Sequence, residues 1–327
     1  MSILWCGGED IDFPNASTIP VETGSTTFRS GYGRCSVRFT ASPYVYYKST
    51  TFSGGGVTSC WLSVWWKIDT ANAGRMKIGI GKLGTDKGIF LGPATSSGGK
   101  VSVATWDGST RTELAASAST VLINNTLQKI DMQLSSYGGS STIRVYVDGV
   151  LALTFTGDSS ISGVSDFDIV VIYTHLSGSG TEYFSEMIVA TTDTRAMSLV
   201  THYPNGAGDA NAWTGAYTDI DETTISDADL IVVDSDAQDA QFGLSNLPSS
   251  SVNVIATKIA ARALKTSSAT VGTLKLGVKS GGTVDVDAGQ ALASGWQTYE
   301  RYMTQWNAAA ITPTLLDAAQ INFRSAT

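Results

Sequence analysis

Residues 142–158 read TIRVYVDGVLALTFTGD, two short β-strands around a tight turn. Asp148-Gly149 suits a type I′ hairpin because both residues tolerate positive φ. Counting outward from the turn pairs Val147 with Val150, Val145 with Ala152 and Ile143 with Thr154 on one face. Tyr146 with Leu151 and Arg144 with Leu153 fall on the other. The first face is apolar enough for a core and the second is mixed. A lone hairpin is marginal in water, so neighbouring strands must cover it.

Those neighbours are legible on both sides. Residues 60–68, CWLSVWWKI, form a dense strand whose Trp61, Trp65 and Trp66 give both faces something to bury. It is predicted to lie centrally, with its tryptophans as core rather than as a sugar-stacking platform. Further short strands are expected at 2–6, within 34–47 (interrupted by Pro43), and at 76–80, 89–91, 101–106, 127–134, 167–172 and 183–189. Glycine, serine or aspartate clusters separate most of them, with no sustained helical period between. Such spacing predicts an antiparallel sandwich or jelly roll.

Strand patterning gives way near 193–212, where His202-Tyr203-Pro204-Asn205-Gly206-Ala207-Gly208-Asp209 looks like a junction. The chain is therefore divided into domains 1–196 and 197–327. In the second, strands are expected at 229–233, 240–244, 252–259, 274–278, 284–286 and 296–306. Residues 252–265, VNVIATKIAARALK, contain helix formers, but β-branching and alternation at the start favour strand. Thr312-Pro313 reads as a helix N-cap followed by proline at the first helical position.

The 327 residues carry a net charge of −8, with 42% hydrophobic and only 15% charged side chains. That profile fits a strand-and-turn protein with a real core. Residues 1–195 hold 14 basic and 16 acidic side chains, and residues 196–327 hold 7 and 13. A chain this acidic, without a basic stripe, repels phosphate backbones, so no nucleic-acid partner is expected. Cys6, Cys35 and Cys60 are odd in number and lack zinc-like spacing, which suggests free thiols kept reduced. The opening MSILWCGGEDIDFP has neither the charged start nor the apolar run of a signal peptide. No stretch is apolar enough to cross a bilayer as a helix, so no membrane insertion is expected. Export by lysis or within a particle would fit.

Gly79-Ile80-Gly81-Lys82-Leu83-Gly84 matches G-x-G-x-x-G, yet Thr85-Asp86-Lys87-Gly88 follows in place of a helix, so a glycine-rich β-turn is expected. Two histidines, His175 and His202, give a triad or multi-histidine metal site little to work with. Glu182 and Glu186 do not form the Glu-x-Asp-x-x-Glu strand of sandwich glycosidases. Asp219-Ile220-Asp221-Glu222 and the acids from Asp234 to Asp239 offer calcium-type oxygens without an EF-hand pattern. The sequons at Asn15 and Asn124 say little without a secretion signal. No catalytic, cofactor-binding or metal-binding residue is therefore expected. Trp213 and Tyr217, in a loop-like context, are the candidates for an exposed contact.

Two resemblances extend this reading. The run VYVDGVLALTFTGD, the strand DFDIVVI and the closing EYFSEMIVATTD resemble the concanavalin A-like, laminin-G-like jelly roll over about 120–193. Trp213-Thr214-Gly215, Tyr217-Thr218-Asp219-Ile220-Asp221-Glu222, Asp227-Ala228-Asp229 and Thr312-Pro313 look like the C-terminal part of tailed-bacteriophage structural proteins, as does the opening WCGGEDIDFP. The resemblance implies an all-β fold, a concanavalin A-like jelly-roll sandwich followed by a smaller β-rich domain. It further implies a non-enzymatic virion component, assembled in the host bacterial cytoplasm as a fibre, spike or decoration. Other virion proteins would be its partners, in a homo-oligomer with a trimer favoured, and a host-surface glycan is a further candidate. A carbohydrate-binding lectin-like module and a glycan hydrolase are the alternatives.

Overall fold

The computed structural model describes residues 3–7, 12–13, 21–22, 26–30, 32–33, 36–39, 45–69, 76–174, 181–223, 226–248, 253–266 and 270–327. The chain forms two compact units, Met1–Leu199 and Val200–Thr327. Both are built almost entirely of antiparallel strands.

Unit 1 is a two-sheet sandwich of jelly-roll type. Its larger sheet runs β12 (Val150–Gly157), β11 (Ser141–Val147), β10 (Leu127–Ser136), β5 (Cys60–Ile68), β14 (Glu182–Ala190), β3 (Ser36–Phe39) and β2 (Val21–Glu22). β1 (Ile3–Gly7) also pairs with β14. The smaller sheet runs β4 (Val45–Lys48), β13 (Ile169–Thr174), β6 (Ile78–Gly81), β7 (Gly88–Pro93), β8 (Val101–Trp106) and β9 (Arg111–Ala116).

Strict alternation fills the space between the sheets. From the larger sheet come Leu62, Val64, Trp66, Ile130, Met132, Ile143 and Val145, and from the smaller Ile78, Ile80, Ile89, Leu91, Val103, Val170 and Ile172, all buried. Each such side chain stabilises the fold by about 1.5–3 kcal/mol relative to exposure. Trp66 stacks on Phe184 with centroids 5.6 Å apart. Of the three tryptophans on β5, only Trp66 lies in this interior; Trp61 and Trp65 alternate to the opposite face.

The hairpin forms around Asp148 (φ 49°) and Gly149 (φ 79°), but only its tip keeps the register counted from the turn. Val147 pairs with Val150 and Tyr146 with Leu151, after which a bulge at Ala152 moves Leu153 opposite Val145 and Phe155 opposite Ile143. The reason is burial. The extra residue turns Leu153 inward to 6% exposure, where unbroken pairing would have left it outside. β9 is absent from the strands expected above, because Arg111 and Glu113 disguise its alternation.

The G-x-G-x-x-G run is the β6–β7 hairpin and no helix follows it. A Cβ at Gly79 would lie 1.9 Å from the Ile89 carbonyl oxygen, and one at Gly81 2.5 Å from a Val171 methyl. Gly84 has open space around it but φ +79°. Gly79→Ala is therefore expected to prise β6 from β7, costing about 1–3 kcal/mol. Calorimetry should show the melting temperature of unit 1 falling by roughly 2–4 °C per kcal/mol. An unchanged transition would refute this account of the glycine.

Unit 2 centres on a sheet ordered β15 (Pro204–Asn211), β16 (Asp239–Leu244), β24 (Gln320–Ala326), β18 (Thr273–Ser280) and β19 (Thr283–Val286), with β20 (Gln290–Ala291) on β18. β17 (Thr257–Ala263) pairs with β21 (Gln297–Met303), and β22 (Gln305–Trp306) with β23 (Ala309–Ala310). Phe242, Leu276, Phe323, Met303, Trp306 and Leu316 share its core. The helix signal is realised in α1 (Pro313–Asp317), where Thr312 accepts from the Leu315 N–H. The strand preference in 252–265 is realised five residues late. Two expectations fail. Residues 229–233 make only an isolated bridge, Val232 to Thr214, and the glycine-rich junction 204–209 belongs to a strand. Its glycines let β15 lie close on β16: a Cβ at Gly208 would meet the Gln241 carbonyl at 2.3 Å.

Candidate functional site

The outer face of the larger sheet in unit 1 carries a dense set of charged and aromatic side chains. It follows from the same alternation that builds the core. On β10, Ile130 and Met132 point inward, so Lys129, Asp131 and Gln133 point out. On β5 the outward residues are Trp61, Ser63 and Trp65, and on β11 they are Arg144 and Tyr146. Three ion pairs among the described residues sit on this face.

Glu186 lies at a bulge in β14, between Ser185 and Ile188, with a backbone φ of 48°. Arg29 donates from Nε to both of its carboxylate oxygens at 2.9 and 3.0 Å. The guanidinium stacks 3.8 Å over Tyr32 and 4.6 Å over Trp65. Burial raises the Glu186 pKa against the pull of Arg29.

Lys129 donates to three carbonyls, of Thr194 at 3.0 Å, Arg195 at 2.9 Å and Met197 at 2.7 Å. Its ammonium is 4.0 Å from Asp131, which also accepts from the Thr194 hydroxyl at 2.9 Å. Burial raises the Asp131 pKa and lowers that of Lys129, the two groups countering the effect on each other. Asp131 Oδ2, Ser63 Oγ and Ser185 Oγ are buried without a hydrogen bond of good geometry. Ser63, cross-strand from Asp131, is still near enough to oppose the rise in its pKa.

The third pair is the most open. Arg195 binds Asp193 through Nε at 3.0 Å and covers Tyr146 and Trp61 at 4.5 and 5.5 Å. Trp61 and Tyr146 themselves stack at 5.8 Å. Arg195 holds the Asp193 carboxyl below the usual range. The face thus presents an arginine-capped aromatic stack beside charges that are already matched.

The other residues singled out in the sequence lie elsewhere. Glu182 and Glu186 occupy one strand but opposite faces: Glu182 is on the core side, 2.6 Å from Lys77 and buried. They do not form a carboxylate pair across a cleft. Trp213 and Tyr217 are half-buried and pack on the unit 2 core. The Trp213 indole donates to the Gln238 carbonyl at 3.0 Å and its ring lies 6.4 Å from Phe323. Both therefore brace the fold, which the loop-like sequence context concealed.

His202 is not a free surface imidazole. Its Nδ1 donates to the Ser245 carbonyl at 2.5 Å, and burial lowers its pKa. His175, Cys35 and Asn15 lie outside the described residues. Cys6 and Cys60 are both buried, and burial pushes the Cys60 thiol up to about 12. Asp219 and Asp236 serve local turns, accepting from the Ala216 and Ala237 N–H groups. Asp239 pairs with Arg324. Among the described residues no three acidic, histidine or cysteine side chains converge as a metal site.

No protein-family model matches the chain, and no curated protein sequence matches it. Similar solved structures include an endo-β-1,4-glucuronan lyase from the fungus Trichoderma reesei, with 10% identity and TM-score 0.40, spanning 58% of this chain and 96% of that one. Domain 4 of an extracellular arabinanase from Geobacillus stearothermophilus, in complex with arabinotriose, gives 18%, 0.32, 57% and 81%. The receptor-binding domain of botulinum neurotoxin mosaic serotype C/D gives 12%, 0.38, 59% and 48%. At these identities and scores no function passes to this chain.

Proposed function

We propose that the chain is a non-enzymatic structural and binding protein of a tailed phage particle. The observation that carries the non-enzymatic part is the matching of buried carboxylates in unit 1. Glu182 is held by Lys77, Glu186 by Arg29, and Asp131 by Thr194 and Lys129. Acids locked this way hold surfaces rigid, whereas acid–base chemistry needs a carboxyl free to exchange its proton with substrate. The virion setting rests on the sequence resemblance around Trp213-Thr214-Gly215 and in the jelly-roll strands. Mass spectrometry and imaging of purified particles test it. The chain should be found at a fixed position, and its absence from particles would end the reading.

Glycan binding is the second reading, favoured by one observation: the half-buried Tyr146 ring, stacked on the buried Trp61, lies beside the exposed hydrogen-bond donor Arg195. The isolated chain should then be retained on a host-glycan array, and Arg195→Ala should lose that retention. Equal retention by the variant, or none by either chain, would remove this reading.

A further inference from the structure

The β12 edge of the larger sheet is a surface that neither the core nor the charged face explains. Among the described residues β12 hydrogen-bonds to β11 alone and ends the sheet. Its sequence, VLALTFTG, contains no charge and no proline, two of the devices that keep edge strands from pairing, and a third, its bulge at Ala152, lies near one end. The edge of the smaller sheet differs, since β9 carries Arg111 and Glu113. Val150 is 72% exposed and Leu151 51%.

We propose that β12 pairs antiparallel with β12 of a second copy, about a two-fold axis through Thr154, and so joins two larger sheets edge to edge. The bulge sets this register. With Ala152 set aside, Leu151, Thr154 and Thr156 lie on the outer face, and Val150, Leu153, Phe155 and Gly157 on the core side. An axis at Thr154 pairs the strand over its whole length while keeping every residue opposite one on its own face. Val150 then meets Gly157, Leu151 meets Thr156, Leu153 meets Phe155, and Thr154 meets itself. The exposed Val150 falls against a residue with no side chain, and threonine opposite threonine is a favourable cross-strand pair.

An edge that is its own complement and bears no charge asks for a like strand, not for a charged partner. That is the isologous arrangement of two-fold dimers. It joins chains in twos, so the trimer implied by the sequence resemblance would have to be made through other surfaces. The inference is independent of the proposed virion role.

The test uses the full chain with Thr154→Cys. Residues directly opposite in an antiparallel pair have Cα atoms about 4.5–5.5 Å apart, inside the roughly 4.4–6.8 Å that a disulfide spans. Mild oxidation should convert most of this variant to a covalent dimer. A Ser135→Cys control, exposed on β10, should stay at the wild-type background. Light scattering across a dilution series should show a wild-type dimer. The Leu151→Lys/Thr156→Lys variant, checked for its native melting transition, should need at least tenfold more protein to associate. A wild-type chain that stays monomeric throughout would overturn the proposal. So would a trimer indifferent to the lysines, or cross-linking at 154 no greater than at 135.

Discussion

Replacing Lys77 with methionine should destabilise unit 1 by about 3–5 kcal/mol, the usual cost of leaving one member of a buried ion pair alone. Lys77 and Glu182 are 7% and 5% exposed and meet between the sheets at 2.6 Å. Burial already raises the Glu182 pKa even with the ammonium present. Without it the carboxyl would stay protonated in the folded state to still higher pH. A carboxyl whose folded pKa is raised favours the fold below its unfolded value and loses that advantage as pH rises through the folded one. The defect should therefore grow as pH rises through the folded pKa and shrink as pH falls toward the unfolded glutamate value of about 4.3. The double variant Lys77→Met/Glu182→Leu should recover most of the loss, since an apolar pair of similar volume needs no compensating charge. Denaturant titrations at two pH values would check all three statements. A single variant as stable as wild type at pH 7 would contradict them.

The second large effect is expected at Lys129. Lys129→Met removes three charge-assisted hydrogen bonds to Thr194, Arg195 and Met197, each contributing about 1.5–3 kcal/mol. It also leaves Asp131 without its cation. Trypsin reports the outcome, because Arg195 lies within the segment that Lys129 holds. Cleavage that follows transient opening tracks the open population, and about 1.4 kcal/mol is tenfold. Cutting after Arg195 should accelerate at least about tenfold on that scale. Thr194→Val, which removes only the bond to Asp131, should do less. Unchanged cleavage in Lys129→Met would mean that the segment is held by something else.

The core was legible because it rests on period-two alternation, which residues 60–68, 127–134 and 142–147 display openly. The same alternation could have exposed the charged face, since Lys129, Asp131 and Gln133 interleave with Ile130, Met132 and Leu134. What hid it was the lack of any motif: Arg29, Lys129, Asp131, Glu186 and Arg195 meet only after strands far apart in sequence pair. The bulges were illegible for a related reason. Nothing local marks Ala152 as the extra residue; Leu153 gains burial only when the facing sheet is there to receive it. Trp213 misled in the opposite direction, because a glycine- and aspartate-rich neighbourhood looks exposed even when the ring lies on a core.

The left-handed residue in the closing strand divides EYFSEMIVA into two reading frames. Before Glu186 the even-numbered side chains enter the sandwich, opposite Ile68 and Trp66; after it Val189 does so, opposite Leu62. The bulge absorbs one extra residue, so deleting Glu186 would merge the two frames and leave Met187 and Val189 inward, whereas one further residue inserted there would turn both outward and Ile188 inward. An insertion there would scramble the strand more thoroughly than replacement of any one of its side chains.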